Sequence, residues 1–232
     1  MSAVKTARPF VAVNFALTFD GKISTRNFTP SDFSSKRDKL RLLEIRATGD
    51  ALLIGKGTLE TENMSMGLPD KELREERVAR GQEPYPMRVI VSNSGRIKAS
   101  LKVFAQSISP LIIYSTNKMP AAVQRRISSH CSLHLHESAT VDVGAMLAHL
   151  RSFYKVKRLI CEGGPTLLRS LLADDLVDEI NITFCPHVFG GKDAPTLTGV
   201  PGDFLPRSIA CKLHKMETIG NECFLQYRVL RP

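Results

Sequence analysis

Residues 158–185 read RLICEGGPTLLRSLLADDLVDEINITFC. The segment opens on a short apolar run, Arg158-Leu159-Ile160-Cys161, that stops at Glu162 and a glycine pair. Pro165 stands where a helix can start, because its fixed φ and missing N–H suit a first turn. Behind it Leu167, Leu168, Leu171 and Leu172 recur at helical spacing and make one apolar stripe. Residues 179–185 return to a strand-like run rich in Ile. Strand, helix, strand is a crossover unit, and such a unit lays its two strands parallel.

The same alternation extends outward in both directions. Runs at 10–17, 51–55, 88–92, 111–115 and 132–136 are rich in Val, Ile and Leu and end at Gly, Pro, Ser or Asp. Helical patterns fill the gaps: 34–47 spaces Leu40, Leu43 and Ala47 by three and four. The stretch 142–153 opens on a capping Asp and aligns Val143, Met146, Leu147 and Leu150. The C-terminus differs. Runs at 208–218 and 222–230 flank Ile219-Gly220-Asn221, which is hairpin chemistry, so the last pairing is antiparallel. The expected class is α/β, a mixed, mostly parallel sheet flanked by helices and ending in an antiparallel hairpin. The charged stretch 70–83 (DKELREERVARGQE) reads as a solvated helix or loop near a site mouth.

Composition narrows the class. The chain has 232 residues, is 43% hydrophobic and 24% charged, and carries 32 Lys+Arg against 23 Asp+Glu, net +9. That much apolar material excludes disorder, and no apolar run reaches the length of a membrane span. The N-terminus has no long apolar core before Asp20 and does not read as a signal peptide. Five scattered cysteines without a C-x-x-C pair indicate a reducing, cytoplasmic setting rather than bridges or zinc. Basic residues interleave with acids and there is no Trp, which argues against nucleic acid.

Three glycine turns follow strands: Gly55-Lys56-Gly57-Thr58, Glu162-Gly163-Gly164-Pro165-Thr166 and Gly190-Gly191-Lys192. Turns of this kind let backbone N–H groups approach phosphate, although neither the G-x-G-x-x-G nor the P-loop pattern is present. Asp20-Gly21 follows the first strand and would sit at the sheet's ligand edge. His134 and His136 share one strand face, but no further ligands cluster with them and no metal is expected.

Read in order, four separated motifs resemble the pyrimidine reductases of riboflavin biosynthesis. They are residues 14–24 (NFALTFDGKIS), 45–58 (IRATGDALLIGKGT), 161–167 (CEGGPTL) with 176–180 (LVDEI), and 186–196 (PHVFGGKDAPT). The likeness runs from Arg8 to Leu230, so 8–232 is expected to be a single reductase domain behind a tail at 1–7. It implies a dihydrofolate-reductase-like fold in the stand-alone arrangement, with no deaminase domain before it, and a homodimer. It also implies NADPH-dependent reduction of the ribosyl group of a 5-amino-6-(5-phosphoribosylamino)pyrimidine, in the uracil or the 2,5-diaminopyrimidinone form, to a ribityl group. A reductase of the same fold acting on another small molecule such as a pterin, or a non-catalytic nucleotide-binding protein, stays open.

The resemblance also implies site residues. Gly55, Thr58 and Glu62 (where the family usually has Asp) contact the cofactor, and Gly163, Gly164, Pro165 and Thr166 form the pyrophosphate turn. Leu17 lies against the nicotinamide, and Phe33 is a cofactor-facing aromatic. Ser31, Arg46 and Glu162 are substrate positions; Glu162 near the ribose and Asp20 on the site wall are the catalytic candidates. The 2′-phosphate is expected near Ser92, Asn93 and Arg96 and near Ser115, Thr116 and Lys118. Departures fall on the substrate side: Asn14 stands where the family often has Lys, and Glu62-Asn63-Met64 where it has Asp-Asp-Pro. A basic residue is missing near Leu68-Pro69, with Arg74 or Arg77 as its substitute; part of the +9 excess is ordinary solvated surface, and the basic residues that attract the ligands are expected to line the strand-end turns.

Overall fold

A computed structural model describes residues 7–24, 33–199 and 204–231. The strands are β1 (Phe10–Thr18), β2 (Ala51–Gly55), β3 (Met87–Ser92), β4 (Leu111–Thr116), β5 (Ser132–His136), β6 (Arg158–Cys161), β7 (Glu179–Cys185), β8 (Cys211–Ile219) and β9 (Glu222–Val229). The helices are α1 (Lys36–Thr48), α2 (Lys56–Glu62), α3 (Lys71–Ala79), α4 (Lys102–Ala105), α5 (Ala121–Ile127), α6 (Val143–Ser152) and α7 (Pro165–Ala173). All nine described strands join one sheet in the order β5-β4-β3-β2-β6-β1-β7-β9-β8. β1 through β7 run parallel, while β9 pairs antiparallel with both β7 and β8.

The apolar runs are strands because both faces of the sheet are covered. On one face Val11, Val13, Leu53, Val89 and Leu159 pack with Met146, Leu147 and Leu150 of α6 and with Leu168 and Leu171 of α7. On the other Ala12, Leu52, Ile54, Ile90, Ile113 and Ile160 meet Leu59 of α2, Phe104 of α4 and Ile127 of α5. Gly220, at φ 60°, makes the β8–β9 turn. Since the first seven strands are parallel, Thr18, Gly55, Ser92, Thr116 and Cys161 end on one edge of the sheet, where the helices that follow them begin.

The charged stretch departs from expectation. α3 is a helix, capped by Asp70 on the Leu73 N–H, but it packs on α1 and not at a site mouth. Arg77 is 1% exposed and donates Nη1 to the carbonyls of Ala47 and Gly49 at 2.8 and 2.5 Å and Nε to Glu83 O at 2.9 Å. The last carbonyls of α1 have no helical partners, and this guanidinium supplies donors for them. The contact lies at the start of β2, the edge opposite the strand ends. Arg74 is likewise occupied with Leu68 O and Pro69 O. Neither arginine is placed to hold a ligand phosphate. Arg77→Ala is expected to cost about 2–3 kcal/mol of stability, read from urea melts, with nucleotide affinity unchanged.

Candidate active site

A cleft of about 1350 Å³ opens at the strand-end edge. Its floor is built from two of the glycine turns, which topology makes neighbours because β2 pairs with β6. Gly55 N donates to Gly163 O at 3.2 Å, and Glu162 N donates to Leu53 O at 3.1 Å. Gly164 takes φ 94°, and a Cβ there would stand 3.3 Å from Gly55 Cα. A Cβ on Gly163 would come to 2.6 Å from Thr58 Cγ2. Glycine is needed at 164 for the backbone angle and at 163 for the close approach. α7 starts from this turn with Pro165 in its first turn, no side-chain cap and no acidic residue. Its free N–H groups therefore present partial positive charge to the cleft.

Gly55, Thr58, Glu62, Ser92, Glu162, Gly163, Gly164, Pro165 and Thr166 all line the cleft. Eight other site candidates are not among its lining residues. Leu17 is 5% exposed in the apolar interior, and Phe33 packs edge-on against Phe189 with ring centroids 5.2 Å apart. Ser115 is wholly buried and donates to Ser92 O at 2.6 Å, so it braces the β3 turn from behind. Thr116 does the same with Asn93 O, and Arg96 and Lys118 are not among the lining residues. Ser31 lies outside the described residues.

Arg46 stands behind Glu162. Its Nε and Nη2 donate to the two carboxylate oxygens at 2.8 and 2.7 Å, and Nη1 donates to Gly67 O. The pair is nearly inaccessible, with 8% of the Arg46 side chain and 3% of the Glu162 side chain exposed. A bidentate ion pair of this kind fixes the carboxylate at the cleft wall. Asp20 accepts from Thr18 Oγ1 at 2.6 Å, Phe189 N at 3.1 Å and Gly190 N at 2.6 Å. These donors, Thr18 first, hold its pKa down to about 2. The carboxylate ties the β1 turn to the loop after β7. Its folded pKa is below its unfolded value, so the tie is present above about pH 4 and is lost as pH falls through 2. Amide exchange at Phe189 and Gly190 is expected to accelerate over that window in wild type and at neutral pH in Asp20→Asn.

The structure adds residues that sequence reading missed. Ser138, Thr140, Val141, Asp142 and Val143, between β5 and α6, close one end of the cleft. Asn93 Oδ1 accepts from Val141 N at 2.9 Å and joins this loop to the Ser92-Asn93-Ser94 turn. At the other end α1 contributes Asp38, Lys39 and Leu42. The expectation about charge is corrected here. Among the described residues the lining cations are Lys39 and Lys56, against the carboxylates of Asp38, Glu62, Asp142, Glu162 and Asp174. Lys56 is itself paired with Glu60 at 2.8 Å. The surplus positive charge lies elsewhere, and anion-binding capacity in the cleft resides mainly in backbone N–H groups. His134 and His136 form no metal centre among the described residues: His134 bonds Tyr154 Oη at 2.9 Å and stacks on Tyr114. No described helix is long and apolar enough to cross a membrane.

The chain is 34% identical over 214 residues to a 2,5-diamino-6-ribosylamino-4(3H)-pyrimidinone 5′-phosphate reductase of Archaeoglobus fulgidus, covering 92% of this chain and 94% of that protein. In structure it resembles a pyrimidine reductase-like protein of Corynebacterium diphtheriae, with a TM-score of 0.82 at 19% identity over 97% of this chain and 93% of the other. A more distant likeness, TM-score 0.50 at 11% identity over 95% and 96% of the two chains, is to dihydrofolate reductase of Enterococcus faecalis. These likenesses establish the dihydrofolate-reductase-like fold. Residues 9–225 match the profile of the RibD C-terminal domain, and the chain belongs to that family.

Proposed function

We propose that the chain is an NADPH-dependent reductase of riboflavin biosynthesis that converts the ribosyl group of a 5-amino-6-(5-phosphoribosylamino)pyrimidine to ribityl. The observation that carries this reading is the interlocked Gly55 and Gly163-Gly164 turns beneath the uncapped start of α7. Backbone donors without a competing carboxylate suit a pyrophosphate, so the residues present fit a dinucleotide. Residues 163–166 would hold the pyrophosphate, Thr58 and Glu62 would flank it, and Ser92, Asn93 and Ser94 would meet the 2′-phosphate end. When bound, the dihydronicotinamide supplies the hydride. The chain's own residues align and enclose the reactants: Glu162, locked by Arg46, faces the sugar, and apolar Phe15, Val91 and Leu167 help exclude water.

A second reading, a related small molecule such as a pterin, draws on the substrate-side departures. Asn63 is the left-handed cap of α2 and its Oδ1 accepts from Lys102 N at 3.0 Å, so this position serves structure here. The distinguishing experiment is loss of NADPH absorbance with each candidate. Turnover of the phosphoribosylaminopyrimidine supports the first reading. NADPH binding without that turnover overturns it. We also propose a cytoplasmic homodimer, on the grounds that edge strand β8 leaves Leu213, Met216 and Ile219 exposed at 46%, 62% and 37%; light scattering at the monomer mass would contradict it.

A further inference from the structure

The α1 wall of the cleft carries a carboxylate without a partner among the described residues. Asp38 and Leu42, four residues apart on α1, face the cleft on one side of the helix, and Ser34, just before its N-cap, lines the cleft beside them. Asp38 is only 9% exposed. Its backbone N–H is capped by Ser35 Oγ, yet among the described residues its side-chain oxygens receive no hydrogen bond and no ion pair. Other carboxylates of the cleft and of the β9 end beside α1 are committed: Glu162 to Arg46, Asp142 Oδ1 to Ala145 N, and Glu222 to Ser35 N and Oγ. Cys185 also lies close, its thiol pushed up to about 12 by burial and by the charges of Glu222 and Asp38. Asp38 thus has Glu222 and Cys185 as acidic neighbours; of the cations on α1, Arg41 lies over the Phe224 ring, and the one lining the cleft is Lys39. That next residue is exposed and forms no ion pair among the described residues.

The Asp38 oxygens are not among the fully buried polar atoms that lack a partner, so they open onto the cleft, where a ligand carrying donors can reach them. What the carboxylate needs is a cluster of O–H or N–H groups, and an anion would be repelled. Under the reading above, the substrate offers such donors on the sugar chain between its pyrimidine and its phosphate. We propose that Asp38 is a substrate-contacting residue that accepts hydrogen bonds from the hydroxyls of that chain, with Lys39 at the mouth meeting the terminal phosphate. The proposal rests on the reductase reading, and it places the substrate along α1, across the cleft from the Ser92 turn.

The test is Asp38→Asn in the full chain, with steady-state kinetics, NADPH titration and thermal melting. KM for the phosphoribosylaminopyrimidine should rise about ten- to a hundredfold, while NADPH affinity stays within about twofold. Melting temperature should hold or rise, because no internal partner is lost. Lys39→Ala should raise KM for the phosphorylated substrate and leave the dephosphorylated one unaffected. Unchanged pyrimidine KM in an active Asp38→Asn enzyme would overturn the proposal and leave the reductase reading intact. A lowered melting temperature would also overturn it, by revealing an internal partner. Wild-type protein that binds NADPH but does not turn the pyrimidine over would overturn both.

Discussion

Replacing Glu162 by Gln should lower stability by about 3–5 kcal/mol, because it leaves a buried guanidinium without its counter-charge. Gln keeps the shape of the side chain, so the loss reports charge and not a cavity. Turnover should fall by at least about a hundredfold, the scale for removing a positioned electrostatic group, with NADPH affinity changed far less. The cycle with Arg46→Met separates the two effects. The double variant removes both charges, and its stability should recover most of the loss, yet turnover should stay low because the carboxylate on the cleft wall is gone. Equal stability of the single and double variants would show that the pair is not coupled. Wild-type turnover in either would remove Glu162 from the site.

Gly164→Ala carries the second large effect. The residue sits at φ 94°, where a side chain costs about 1–2 kcal/mol, and its Cβ would press on Gly55 Cα and Leu167 Cβ, both at 3.3 Å. Neither contact is the free end of a flexible side chain, so the turn itself must move. Displacing amides that hold a pyrophosphate by a fraction of an ångström should raise the NADPH dissociation constant at least about tenfold. Calorimetric titration reads this directly. Unchanged affinity would show that the nucleotide lies elsewhere.

The strands were legible because parallel, doubly covered strands are written as unbroken Val, Ile and Leu runs, and Gly220 marked the single hairpin. The short helices α2, α4 and α5 were not, since one or two turns show too little periodicity. Arg77 misled for another reason. A charged run looks solvated, and only the fold reveals that the carbonyls of Ala47 and Gly49 wait for that guanidinium. At the site, the glycine turns were readable because backbone angle and close approach leave few alternatives to glycine. Arg46 and Glu162 are 116 residues apart, and their pairing needs α1, β2 and β6 to be neighbours. Asp38, inside Lys36-Arg37-Asp38-Lys39, has the surroundings of a surface residue; burial alone distinguishes it. Net charge was the weakest guide, because among the described residues the cleft holds more carboxylates than cations.

In the proposed reaction the cleft directs hydride to the sugar carbon attached to the pyrimidine's amino nitrogen. The most direct measurement is mass and NMR analysis of the product formed from NADPH deuterated at the transferring position. The expected product is a ribitylaminopyrimidine phosphate carrying one deuterium on the former anomeric carbon. NADPH binding with no reduced product, or a product without label at that carbon, would contradict it.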